Sequence, residues 1–198
     1  MLKNLLKGAA LFCLFQAAWF ACVLGAAHDR AGLGILAVAA AVLVTWCLSD
    51  RPGLEIVLTV LAVLLGLAWD TLMLRAGWVH YASPGPLSLW APAWILALWA
   101  LFATLLRGPL SWLQGRPLLA AVLGAVGGPL SYLAAVRLGA GSFPDPTQAL
   151  LILAAGWAVM TPVMTETASA AERLRKARPP QASPAGARGR ETGRRLKG

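Results

Sequence analysis

Charge is what this sequence has least of. Asp, Glu, Lys and Arg together make up 13% of its 198 residues, where a soluble domain carries about 25%. A chain so poor in ionisable groups cannot dress a globular surface for water. Cysteine is sparse as well. Cys13, Cys22 and Cys47 all fall inside apolar stretches, with no CxxC and no Cys/His spacing. That excludes a zinc framework and a disulfide scaffold, and leaves thiols that behave as small apolar side chains. The two histidines, His28 and His80, carry no supporting motif, so a bis-histidine haem or metal pair is not indicated. There is no nucleophile elbow, no P-loop and no HExxH. Glu55 and Asp70 are about 22 Å apart along a helix at 1.5 Å per residue, too far to act as one dyad. No catalytic residue and no cofactor are therefore expected.

Apolar residues fill the space that charge leaves. They make up 59% of the chain, the mean hydropathy is +0.69, and they come in blocks of roughly 20 residues, enough to cross a hydrocarbon core of about 30 Å. Six blocks are legible: 5–27, 31–48, 55–74, 90–106, 118–138 and 148–167. Pro, Gly, Asp and Ser punctuate the connections, as in Ser49-Asp50-Arg51-Pro52-Gly53. The first block is longer than the 7–15 apolar residues of a secretory signal, and Gln16 and Trp19 sit in its middle, so it reads as a retained helix. The expected fold is all-α: a polytopic transmembrane bundle of about six helices over residues 1–170. Residues 171–198, mostly Arg, Lys, Pro, Ala, Gly and Ser, read as a disordered basic cytoplasmic tail.

The net charge of +9 does not indicate nucleic acid. Its basic residues concentrate after residue 172, where they face anionic lipid or set topology. With both termini inside (N-in, C-in), the inner segments hold Lys3, Lys7, Arg51, Arg107, Arg116 and the nine Lys and Arg of the tail. The outer connections hold only Arg30, Arg75 and Arg137. The positive-inside rule selects that orientation.

The third block has a period. Glu55, Thr59, Ala62, Gly66 and Asp70 are spaced 4, 3, 4 and 4, which at about 100° per residue confines them to a sector of about 80°. Lipid offers polar side chains no partners, so this face should point into the bundle. In the fifth block Ala120, Gly124 and Gly128 form a small-xxx-small ridge for close helix approach. Pro129 frees the carbonyl of Ala125, and Pro162 frees that of Ala158. Both bends should face protein.

Asp70 stands out because a carboxylate within a membrane helix costs about 2.5–3.5 kcal/mol on insertion scales. It needs a partner or a hydrated cavity near the outer interface. Glu55 suits the positive N-terminus of the same helix, and Gln16 suits an interhelical hydrogen bond. The aromatic residues crowd the outer half, including Trp19, Trp69 and Trp94. An aromatic belt explains part of that asymmetry. The rest suggests an outward-facing amphipathic site for a lipid-like molecule, formed by Asp70, Trp69, Trp19, Gln16, Trp94 and His80.

Three segments carry a family resemblance. Phe15 to Ala26, FQAAWFACVLGA, resembles the opening of the bacterial DUF2878 membrane proteins. Trp94 to Thr104, WILALWALFAT, resembles their fourth segment, and Gly124 to Tyr132, GAVGGPLSY, their fifth. The Glu55 and Asp70 pair also fits. The resemblance covers roughly residues 5 to 167 and not the tail. It implies a bacterial inner-membrane location and no particular reaction, and it favours an accessory role in membrane-lipid metabolism. The expected partners are membrane lipid, a lipid-like small molecule and a membrane enzyme. A small transporter, or a scaffold for such an enzyme, is the alternative.

Overall fold

The computed structural model describes residues 2–176. Six α-helices follow in order: α1 Leu2–Ala27, α2 Ala31–Leu48, α3 Pro52–Arg75, α4 Ala93–Leu106, α5 Pro117–Arg137 and α6 Pro146–Lys176. A 3₁₀ turn, Ser111–Leu113, lies between α4 and α5. Two-residue strands, β1 His80–Tyr81 and β2 Gly141–Ser142, pair antiparallel with His80 opposite Ser142. Proline opens α3, α5 and α6, at the helix position where its missing N–H costs nothing. Asp145 caps α6 by accepting the backbone N–H of Gln148 at 3.0 Å.

Five helices, all but α4, are long and apolar enough to span a membrane, and the chain is a multi-pass membrane protein. Its lipid face is plain on α2, α3 and α5, where Leu36, Leu43, Val57, Leu64, Val122 and Leu130 are exposed. The α4 helix differs. Its 14 residues reach only about 21 Å, and none of its large apolar side chains is exposed. It is the centre of the bundle, packed on α1, α2, α3 and α6. The α5 helix packs almost wholly on α6, and α1 and α5 share no packed interface.

Helix ends depart from the sequence-based bounds in both directions: α1 and α3 each begin three residues earlier, at Leu2 and Pro52. The fourth helix starts at Ala93 rather than 90, because Pro92 precedes it in an extended conformation. The sixth continues to Lys176 rather than stopping at 167. Its added turns are rich in Ala, Glu and Arg, good helix formers, and Glu172 is anchored to the body of the bundle. The remainder of the expected tail, 177–198, lies outside the described residues.

The stripe on α3 faces inward as its period predicts: Glu55, Thr59, Ala62, Gly66 and Asp70 are all buried. Close approach depends on missing side chains. A Cβ at Gly66 would overlap the Trp99 indole, and one at Gly128 would overlap that of Trp157. Trp99 and Trp157 stack on each other at 5.0 Å with planes 12° apart. Two indoles thus lie sandwiched between a glycine of α3 and a glycine of α5.

The two ends of the bundle are tied differently. At the Asp70 end, three connections are knitted by hydrogen bonds. Ser83 donates to the Ala26 carbonyl and to Asp29, Ala82 N–H to the Ala140 carbonyl, and the Trp94 indole to the Ala82 carbonyl. At the Glu55 end the ties are ionic.

Candidate functional site

The buried carboxylate of Asp70 collects three donors. Tyr81 and Tyr132 each donate a hydroxyl to Oδ1 at 2.5 Å, and the Trp99 indole donates to Oδ2 at 2.6 Å. Each donor has a visible reason for its place. The β1–β2 pair holds Tyr81 over the end of α3. Gly66, one turn from Asp70, lets the Trp99 ring lie flat on α3. Tyr132 reaches across from α5. Burial of the Tyr81 phenol, and then the Asp70 carboxylate beside it, push its ionisation well above the usual tyrosine range. The hydroxyl therefore remains a donor at any ordinary pH. Arg75, the nearest cation in sequence, turns away from Asp70. It donates to the Leu89 carbonyl at 2.9 Å and covers the Trp90 ring at 5.0 Å.

At the opposite end Arg107 follows α4 and is almost fully buried. It donates to Glu55 at 2.6 Å, to Glu172 and Asp50 at 2.9 Å, and to Ser49 Oγ at 3.0 Å. Ser49 in turn donates to Glu55 at 2.9 Å. Burial works against the Arg107 charge, but the surrounding acidic side chains outweigh it and raise its pKa above the usual value. The Arg107 hydrogen bond holds the exposed Asp50 below the usual carboxylate range. One guanidinium thereby joins the α2–α3 turn, α3, α4 and α6. Sequence placed Glu55 at the positive N-terminus of its own helix, and it lies in the first turn of α3; its buried oxygen also answers an arginine 52 residues away.

Between these ends lies a cavity of about 300 Å³. Phe15 and Trp19 of α1 form one side, and Leu123, Gly127 and Tyr132 of α5 form the other. The floor is Trp94, Leu98, Trp99 and Phe102 of α4, with Trp157 and Thr161 of α6. It occupies the gap left where α1 and α5 fail to pack. Its volume sits at the lower end of the range for small-molecule pockets, about 300–1,000 Å³. The wall is aromatic and uncharged, suited to binding an apolar body. Among the described residues no group of three or more His, Cys, Asp or Glu side chains could hold a metal ion.

The residues singled out from sequence are scattered by this geometry. Trp19 and Trp94 line the cavity. Asp70 does not; it lies behind the wall, held by the wall residues Tyr132 and Trp99. Trp69 packs its ring over Gly156 of α6, Gln16 is half-buried outside the cavity lining, and His80 is exposed on β1. Location in the outer half of a helix does not say which way a side chain points. Thr59 bonds the Glu55 carbonyl at 2.8 Å, and Pro129 is buried beside Gly128 on α5. The residues that sequence reasoning passed over are Tyr132, Tyr81, Trp99, Trp157 and Arg107 in these roles. One signal was available: the chain has two tyrosines, and both serve Asp70.

A family model described as a protein of unknown function (DUF2878) matches residues 9–163. No match was found among curated proteins or among solved structures.

Proposed function

The chain belongs to the DUF2878 family, and from that premise we propose that it is a lipid-binding accessory factor of membrane-lipid metabolism in the bacterial inner membrane. The observation that carries this reading is the aromatic, uncharged cavity between α1 and α5. In a bilayer that gap faces acyl chains, since its rims carry exposed Phe12 and Phe20 on α1 and Val126 and Leu130 on α5. A lipid-like molecule can enter sideways without crossing water. The transport alternative finds little support. Asp70 is fully bonded, and the α3 face between Glu55 and Asp70 is closed by packing.

Gly127 offers the direct test. It lines the cavity, yet a Cβ there would meet nothing within 4 Å. Gly127→Phe should fill the cavity with the fold intact. Protein purified from membranes in mild detergent is expected to carry lipid identifiable by mass spectrometry, and the variant at least fivefold less of the same species. Equal lipid content in the two proteins would refute a binding role for the cavity.

The orientation belongs to the same proposal. Positive charge places both termini on the cytoplasmic side, so reporter fusions at Arg107 and Arg178 should read cytoplasmic and one at Gly85 periplasmic. A periplasmic signal at Arg178 would mean an odd number of crossings.

A further inference from the structure

Two polar atoms buried in the wall of the cavity make no hydrogen bond. The Thr161 hydroxyl and the Trp157 indole nitrogen are buried without a hydrogen bond, in residues only 4% and 8% exposed, with the Tyr132 hydroxyl close beside the indole. The pair stands one turn apart on the same face of α6, opposite Gly128 and Gly124 of α5. Thr161 is the exception among the buried threonines. Thr59, Thr104 and Thr165 bond back to carbonyls of their own helices, and Thr71 accepts the Ala91 N–H. Trp46 and Trp69 also have free indole nitrogens, but neither lines the cavity. A buried donor left unpaired is costly, and such a group in a native fold marks a missing partner. The two atoms would give a lone water only the minimum of the two to four polar contacts it needs.

We propose that the cavity selects an uncharged lipid bearing a single oxygen function, a hydroxyl or a carbonyl, that bonds Trp157 and Thr161. This rests on the lipid-binding reading above and names the chemistry of its ligand. The ligand oxygen accepts the indole N–H and pairs with the Thr161 hydroxyl. A phosphate headgroup does not fit, because no Lys, Arg or His lines the cavity and a buried charge needs a counter-charge. At about 300 Å³ the cavity is at the small end of ligand pockets, about 300–1,000 Å³. Only the oxygen-bearing end of a long lipid enters, and its chain leaves between α1 and α5 into the bilayer.

The full chain in phosphatidylcholine nanodiscs, titrated while tryptophan fluorescence is followed, tests this. Dodecan-1-ol and 2-decyl-1,4-benzoquinone represent the two oxygen types; dodecane and dodecyl phosphate are the controls. Saturable binding is expected for at least one oxygenated probe, about tenfold tighter than for dodecane, with none for dodecyl phosphate. The tighter of the two oxygenated probes assigns hydroxyl or carbonyl. Thr161→Val, which keeps the shape, should weaken that probe about tenfold and leave dodecane unchanged, and Thr161→Ser should restore it. If Thr161→Val does not fold, Trp157→Phe removes the other donor and the same loss is expected. Dodecane binding as tightly as the oxygenated probes, or dodecyl phosphate competing with them, would overturn the proposal while leaving the cavity a lipid site. No saturable binding of any probe, with wild type and Gly127→Phe alike, would remove the lipid-binding reading itself.

Discussion

Replacing Asp70 by Leu should destabilise the protein by about 3 kcal/mol, while Asp70→Asn should cost no more than about 1 kcal/mol. The difference comes from counting donors. Leu strands the Trp99 N–H and the hydroxyls of Tyr81 and Tyr132. Each buried unpaired donor costs about 1–3 kcal/mol, eased where the two hydroxyls turn toward each other. Asn can keep all three contacts. Its oxygen takes the indole N–H, and its NH₂ donates to the two hydroxyls, which accept as readily as they donate. The apparent midpoint of thermal unfolding in detergent reads both. At about 2–4 °C per kcal/mol for a chain of this size, Leu should lower it by roughly 6–12 °C. A Leu variant as stable as wild type would show the cluster to be energetically idle. An Asn variant as damaged as Leu would show that the negative charge itself is required.

The second large effect belongs to Arg107. Arg107→Met leaves buried Glu55 without its cation, and breaking a buried pair from one side costs about 3–5 kcal/mol. Lysine should not rescue it, because one ammonium cannot span Glu55, Glu172, Asp50 and Ser49 as the guanidinium fork does. Adding Glu55→Met to Arg107→Met should recover most of the loss, since an apolar pair often replaces a buried ionic one without penalty. The same unfolding measurement on the single and double variants makes a cycle. If the double variant is no better than the single, the cost lies with Glu172 or Asp50, and the Glu55 pairing is not its source.

These two clusters mark where sequence reasoning stopped. The spans could be read because a bilayer imposes their length, and the α3 stripe because its members recur with the helix period. Both signals are local. The partners of Asp70 are 11, 29 and 62 residues away, and those of Arg107 are 52 to 65 away. No period links such pairs. Asp70 could be recognised as a carboxylate needing donors, but not matched to Tyr81, Trp99 and Tyr132. The cavity is harder still, because it exists where α1 and α5 share no packed interface, and a missing interface leaves no mark on either helix. Trp19 and Trp94 were found through the outward bias of the aromatics. Trp157 and Thr161, on the sixth helix, carry no such bias.

The shortness of α4 bears on how the protein is made. The stretch before it runs beside the last turns of α3, with Leu89 held by Arg75 and Ala91 by Thr71. Irregular backbone at that depth is tolerated only against protein. A 14-residue segment leaving the translocon alone would drag those peptide groups into acyl chains. It should therefore be released together with α3, as a hairpin already closed at Thr71 and Arg75.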